Sequence, residues 1–148
     1  MKLEFIEQGV NVYENAPLPV SPAEIDYLFV THAHIDHTGM IPQLVARGFK
    51  GEIFATNATV ELCNIMLRDC AHIQAEEIKW RNRKALRAGK PKEVPVYEMR
   101  DVEESLKLFN GVSYNEKVKI DDNITIRFID AGHILGSASI EVWLTEGS

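Results

Sequence analysis

Residues 31–39 read Thr31-His32-Ala33-His34-Ile35-Asp36-His37-Thr38-Gly39, directly after the apolar run Tyr27-Leu28-Phe29-Val30. Three of the five histidines in 148 residues fall within six positions, with Asp36 among them. The run before them, taken through Thr31, is rich in strand formers of the kind buried in a sheet. The stretch after them, Gly39 to Arg47, reads as a helix stopped by Gly48. Thr38 is its expected N-cap, and Pro42 is tolerable because it lies in the first turn. The histidines therefore stand at a strand-to-helix junction.

Along an extended segment, side chains at i and i+2 point the same way, so His32 and His34 can reach one ion together. Asp36 and His37 come as the chain turns towards the helix and can face a second ion beside the first. Imidazole and carboxylate suit zinc best, with iron or manganese next. Two such sites about 3.5–4 Å apart make a two-metal hydrolytic centre. A catalytic zinc keeps three protein ligands and an open position, so a third imidazole is expected from elsewhere. Two histidines remain. His133 sits in Asp130-Ala131-Gly132-His133-Ile134-Leu135-Gly136-Ser137-Ala138, again just past an apolar strand, and reads as the missing ligand. His72 lies mid-helix between Asp69 and Glu76 and reads as a satisfied helix histidine. Asp130 and Asp69 are candidates to orient a ligating imidazole, although capping or surface roles suit each better.

The rest of the chain alternates. Ser21 is placed to cap a short turn over Pro22–Asp26. Glu52–Ala55 reads as a second strand. A long helix is expected from Ala58 to Arg87, capped by Thr56 or Asn57 and closed by Gly89 and Pro91. Cys63, Met66, Leu67, Cys70 and Ile73 form its apolar stripe. Asp101 with Glu104 resembles a capping box for a helix over Val102–Phe109. Strands are expected over Lys117–Ile120, Ile124–Ile129 and Ser139–Thr145, with Asp121-Asp122-Asn123 as a hairpin turn. Interleaved strands and helices give an α/β class.

The length suits one domain with a real core. No apolar run approaches the ~20 residues that span a bilayer, and the N-terminus lacks the apolar segment of a secretion signal. A soluble, cytoplasmic protein with no membrane partner is expected. Cys63 and Cys70 would sit about 10.5 Å apart on a helix, too far for a mutual disulfide, and read as buried thiols. The net charge of −6 is unevenly spread. Residues 79–92, KWRNRKALRAGKPK, hold seven of the sixteen Lys and Arg and no acid, leaving the remainder at −13. That segment could meet a polyanion or be a solvated helix end.

THAHIDHTG resembles the HxHxDH signature of the metallo-β-lactamase fold. DAGHILGSA resembles the later histidine motif of its RNA-processing branch, the β-CASP ribonucleases, which include the endonuclease that cuts pre-mRNA 3′ ends. Residues 48–56 and the helix segment LCNIMLRDCAHIQ resemble the same enzymes, and the likeness runs from about Glu24 to Ser148. It implies that His32, His34 and His133 hold one zinc. It implies that Asp36 and His37 hold the other, with Asp36 as the catalytic residue that orients the nucleophile. The implied fold is an αββα sandwich with the metals at one edge of two sheets. The implied reaction is hydrolysis of RNA phosphodiesters, with RNA as partner and a homodimer of the full-length protein as a further expectation.

Members of that family open with more strands, carry a second metal-bridging Asp and a final His further on, and contain an inserted β-CASP domain. Residues 1–148 are thus expected to be a partial metallo-β-lactamase domain without the β-CASP insert or the C-terminal part. One zinc site is expected complete and the other incomplete. The alternatives are another hydrolase of the fold, acting on a thioester or lactone, and a non-catalytic metal- or RNA-binding fragment.

Overall fold

A computed structural model describes residues 20–145. After a 3-10 turn at Pro22–Glu24 come β1 (Tyr27–Phe29), α1 (Ile35–Thr38), α2 (Ile41–Ala46), β2 (Glu52–Thr56) and α3 (Asn57–Arg87). They are followed by α4 (Met99–Leu106), β3 (Phe109–Val112), β4 (Lys117–Lys119), β5 (Ile124–Asp130) and β6 (Ala138–Leu144). The α/β expectation holds. β1, β2 and β3 form a parallel sheet in that order, with Leu28 opposite Ile53 and Ile53 opposite Phe109. Parallel neighbours need long crossovers, and the helices supply them. β4, β5 and β6 form an antiparallel sheet, with Val118, Ile126 and Val142 in register.

The two sheets face each other. Phe54 and Val112 of the first pack with Ile124, Ile126, Phe128 and Ala138 of the second. Side chains alternate along a strand, so Ile53 and Ala55 point to the other face of the first sheet. There they meet Val30, Ile41, Leu44 and Phe49 around α2. Ala33, Cys63, Leu67, Ala71, Tyr97 and Val102 form a third cluster between α3 and α4. Helices, sheet and sheet thus make three layers of the αββα sandwich. The far face of the second sheet carries Lys117, Arg127, Glu141 and Trp143.

Several boundaries differ from the sequence reading. The helix expected over 39–47 is α2, confined to Ile41–Ala46, and a one-turn helix that was not expected, α1, precedes it at Ile35–Thr38. Thr38 does not cap α2, because its hydroxyl donates backwards to the carbonyls of Ala33 and His34 at 3.2 and 3.0 Å. Asp101 is not an N-cap either. It is the third residue of α4, and its carboxylate accepts the backbone N–H of Glu98 at 2.8 Å. The helix expected to reach Phe109 ends at Leu106, because Phe109 pairs with Ile53 in β3. Phe-Asn-Gly-Val has a weak strand signal. Its pairing is fixed from afar, and Gly111 passes so close to α3 that a Cβ would sit 2.2 Å from Asn57 Oδ1.

The buried line of α3 is Thr59, Cys63, Leu67, Ala71 and Gln74, so the expected stripe is rotated by part of a turn. Ile73 is 50% exposed, and Cys70 is only half-buried. Cys63 is fully buried, and burial pushes its thiol up to about 12. Ser21 precedes the Pro22–Glu24 turn without a side-chain cap bond, and β1 stops at Phe29, short of Thr31. Thr56 caps α3 as expected, and Asp121 closes the β4–β5 turn by accepting the N–H groups of Asn123 and Ile124. The readings made for residues 1–19 and 146–148 lie outside the described residues.

Candidate metal centre

Two loops meet at the ends of β1 and β5. In the first, Ala33 is buried among Cys63 and Leu67, which turns its neighbours His32 and His34 away from the helical core. His34 precedes α1 and makes no side-chain cap bond, so its ring is left for other work. The back-bonding Thr38 hydroxyl fixes the carbonyls on either side of this turn.

The second loop joins β5 to β6. Asp130 Oδ1 accepts the Gly132 N–H at 2.8 Å. Ser137 Oγ accepts the N–H groups of His133 and Ile134 at 3.0 and 3.1 Å, and Tyr114 donates to the Ser137 carbonyl at 2.9 Å. Between them, the Gly136 carbonyl receives the hydroxyls of Thr56 and Thr59 at 2.6 and 2.9 Å. Gly136 has φ +83°, and a Cβ there would lie 2.7 Å from Thr59 N and Oγ1. Only glycine permits so close an approach to the start of α3. The Ala138 N–H donates to the Thr31 carbonyl at 2.8 Å, so the two loops are stitched directly together.

The result is a cluster of rings. His32 stands 4.9 Å from His34 and 5.0 Å from His133 between centroids, and His34 stands 5.0 Å from His133. One ring nitrogen from each lies within 4.8 Å of the other two. His133 Nε2 and His34 Nδ1 are 3.3 Å apart. His32 is the most enclosed. Burial lowers its pKa, and the neighbouring His37, His34 and His133 lower it further. A lowered pKa favours the neutral ring, the form that offers a lone pair. Thr31 Oγ1 lies 2.9 Å from His32 Nδ1 and can accept its proton, leaving Nε2 as the donor atom to an ion.

Asp36 and His37 come to the mouth of this cluster without entering it. The His37 ring centroid is 4.2 Å from that of His32, and Asp36 Oδ2 is 3.6 Å from His37 Nε2, with both side chains more than half exposed. His72 is exposed on α3 and outside the cluster. Asp69 is exposed, and Asp130 serves its own turn. The bracing residues Thr59, Ser137 and Tyr114 were invisible as such in the sequence. Thr56 was legible only as a cap, because the carbonyl it holds is 80 residues away.

Residues 9–141 match the family model described as the metallo-beta-lactamase superfamily. The chain belongs to that superfamily. Among its curated relatives, "Ribonuclease TTHA0252" of Thermus thermophilus is 32% identical over 126 residues, which cover 85% of this chain and 25% of that protein. "Transcription termination factor FttA" of Methanocaldococcus jannaschii is 31% identical over 149 residues, covering 96% of this chain and 21% of the relative. "Probable RNase MJ4" of the same organism is 29% identical over 138 residues, covering 91% and 29%. The chain therefore spans about a quarter of the length of these relatives. The resemblance to β-CASP ribonucleases of the metallo-beta-lactamase fold holds. Among the described residues, no helix is long and apolar enough to cross a membrane.

Proposed function

We propose that this chain carries the metal-binding core of a zinc-dependent ribonuclease, with His32, His34 and His133 as the ligands of one ion. The observation that supports this most is the convergence of two sequence-adjacent imidazoles with a third from 99 residues away. The donor set fits the metal. Zinc–nitrogen bonds of about 2.0–2.1 Å in a tetrahedron place ligand atoms about 3.3–3.4 Å apart. The His133–His34 separation is 3.3 Å, and one ring nitrogen from each of the three histidines lies within 4.8 Å of the other two. When bound, a divalent cation supplies Lewis acidity, bringing water within reach of deprotonation at neutral pH and stabilising charge on phosphoryl oxygens.

The chain's own residues do the rest. His32, His34 and His133 hold the position, and the Thr31 hydroxyl sets the orientation of His32. Asp36, at the open side, is the group that accepts a hydrogen bond from the attacking water and aims it at a phosphorus atom. His37 stands against Asp36 and would complete, with it, only part of a second site. RNA is the substrate class that the named relatives suggest. This reading has one tight ion per chain and a weak second one, so efficient cleavage needs more protein than these 148 residues.

Zinc titration with equilibrium dialysis tests it. One tightly held ion per chain is expected, with a large loss of affinity in His133→Ala at little change in unfolding temperature. A chain that holds no ion, or a variant that binds as well as the parent, would end the proposal. Robust RNA cleavage by the isolated chain with two tightly held ions would contradict the partial second site.

A further inference from the structure

α3 outruns the core. Its last buried residue is Gln74, and none of residues 75–87 is buried. On this projecting part, Trp80, Arg83, Lys84 and Arg87 fall at i, i+3, i+4 and i+7, which sets them on one face. All four are exposed, and Trp80 is 56% exposed. Lys84 Nζ lies 3.6 Å from the centre of the Trp80 ring. The side of the helix turned away from them is occupied. The Asn82 side chain donates to the Glu93 carbonyl at 2.8 Å and accepts the Glu93 N–H at 2.7 Å, so the returning chain runs there. The nearby acids are engaged by flanking cations: Glu76 by Lys79 at 2.6 Å, and Glu77 and Glu93 by Arg81 at 3.7 and 3.5 Å.

We propose that this face of α3 is a docking strip for single-stranded RNA, separate from the imidazole cluster. The proposal rests on the ribonuclease reading for the choice of nucleic acid. Its charge argument is independent, since outside residues 79–92 the chain carries a net −13 and repels polyanions. Cations in a row track phosphates, and an exposed indole that already carries the Lys84 ammonium over its ring offers a base a stacking partner beside a phosphate-binding charge. The combination favours a single strand, because a duplex keeps its base faces stacked within the helix. From Thr59 to Arg83 the helix advances about 36 Å at 1.5 Å per residue. The strip therefore adds affinity and directs a strand towards or away from the metal centre, and takes no part in the bond-breaking step.

The test is fluorescence anisotropy of a 5′-labelled 12-nucleotide oligouridylate with the 148-residue chain, titrated at several salt concentrations. Trp80→Ala should weaken binding about tenfold. The double variant Arg83→Ala/Arg87→Ala should flatten the log–log salt slope by about 1.4, near 0.7 per lost phosphate contact. Lys119→Ala, a cation on β4, should leave both unchanged. Zinc content is measured on the same samples. Variants that keep one ion and lose RNA separate the strip from the metal centre, while His133→Ala that loses the ion and keeps the RNA shows the converse. Unchanged RNA affinity in Trp80→Ala and in the arginine double variant would overturn the strip. So would duplex RNA or phosphatidylserine vesicles binding as tightly as the single strand.

Discussion

At the start of α3, Thr56 and Thr59 reach across to a carbonyl on the second sheet's loop, tying that turn to the loop that carries His133. At the other end of the same helix, Trp80, Arg83 and Arg87 stand in solvent, and Asn82 holds the short return segment at Glu93. Backbone hydrogen bonding is the same along both. What differs is how many partners a side chain finds from distant parts of the chain. Precision is built where loops from two sheets must agree on one point. Where a flexible polymer is to be met, a scaffold with charge on its outside is enough.

The largest effect should separate the two halves by core packing. Leu67 is fully buried, and Leu86 is 72% exposed on the same helix. Leu67→Ala should cost about 2–5 kcal/mol in urea unfolding, through lost transfer energy and the cavity left behind. Leu86→Ala should stay within about 0.5 kcal/mol. Comparable losses at the two positions would mean that the distal turns are packed against something, and the contrast would fail.

The next effect sharpens the braced end. Thr59→Val keeps the shape but removes the hydroxyl, leaving the Gly136 carbonyl with the Thr56 donor alone. The expected cost is about 1–3 kcal/mol in stability. Zinc affinity should fall about 10–100-fold, since outer residues that orient ligands act on this scale. Thr59→Ser should restore most of the affinity. Gly136→Ala should do more damage than Thr59→Val, because its methyl meets the backbone of Thr59 and its φ is left-handed. Calorimetric zinc binding with a thermal melt on each variant measures both quantities. An affinity unchanged by Thr59→Val would show that His133 is placed without the threonine clamp.

The sequence disclosed the centre better than its supports. His32, His34 and His133 were legible because imidazoles are scarce and their spacing after a strand has chemical meaning. β2, β5 and α3 were legible because their patterns are local: alternation in Ile124–Phe128, and a cap and stop around 57–87. β3 was missed and α4 displaced, because a four-residue strand takes its identity from β2, more than fifty residues away. The α3 stripe was misplaced by a fraction of a turn, since Met66, Cys70 and Ile73 are as apolar as the residues that are in fact buried. Burial there is decided by where Tyr97 and Val102 of the α4 segment arrive, which no window of sequence contains.

The smallest effect lies where the braced half gives way to the projecting one. Arg68 of α3 donates two hydrogen bonds to Glu103 of α4, at 2.7 and 2.9 Å. Arg68 holds the Glu103 carboxyl below its ordinary value, chiefly by that hydrogen bonding. A carboxylate with a depressed folded-state pKa stabilises the fold above its unfolded value, near 4.3, and the contribution is lost as pH falls through the folded value. Glu103→Gln should therefore be slightly less stable than the parent at pH 7, with the difference shrinking as the solution is acidified below about pH 4. Both side chains are two-fifths exposed, so water and salt screen the pair and the difference should narrow at high ionic strength too. Chemical unfolding of the two proteins at pH 7 and in acid measures it. A gap that widened in acid would mean that Glu103 supports the fold as a neutral group, and that α3 is held to α4 at this level by packing alone.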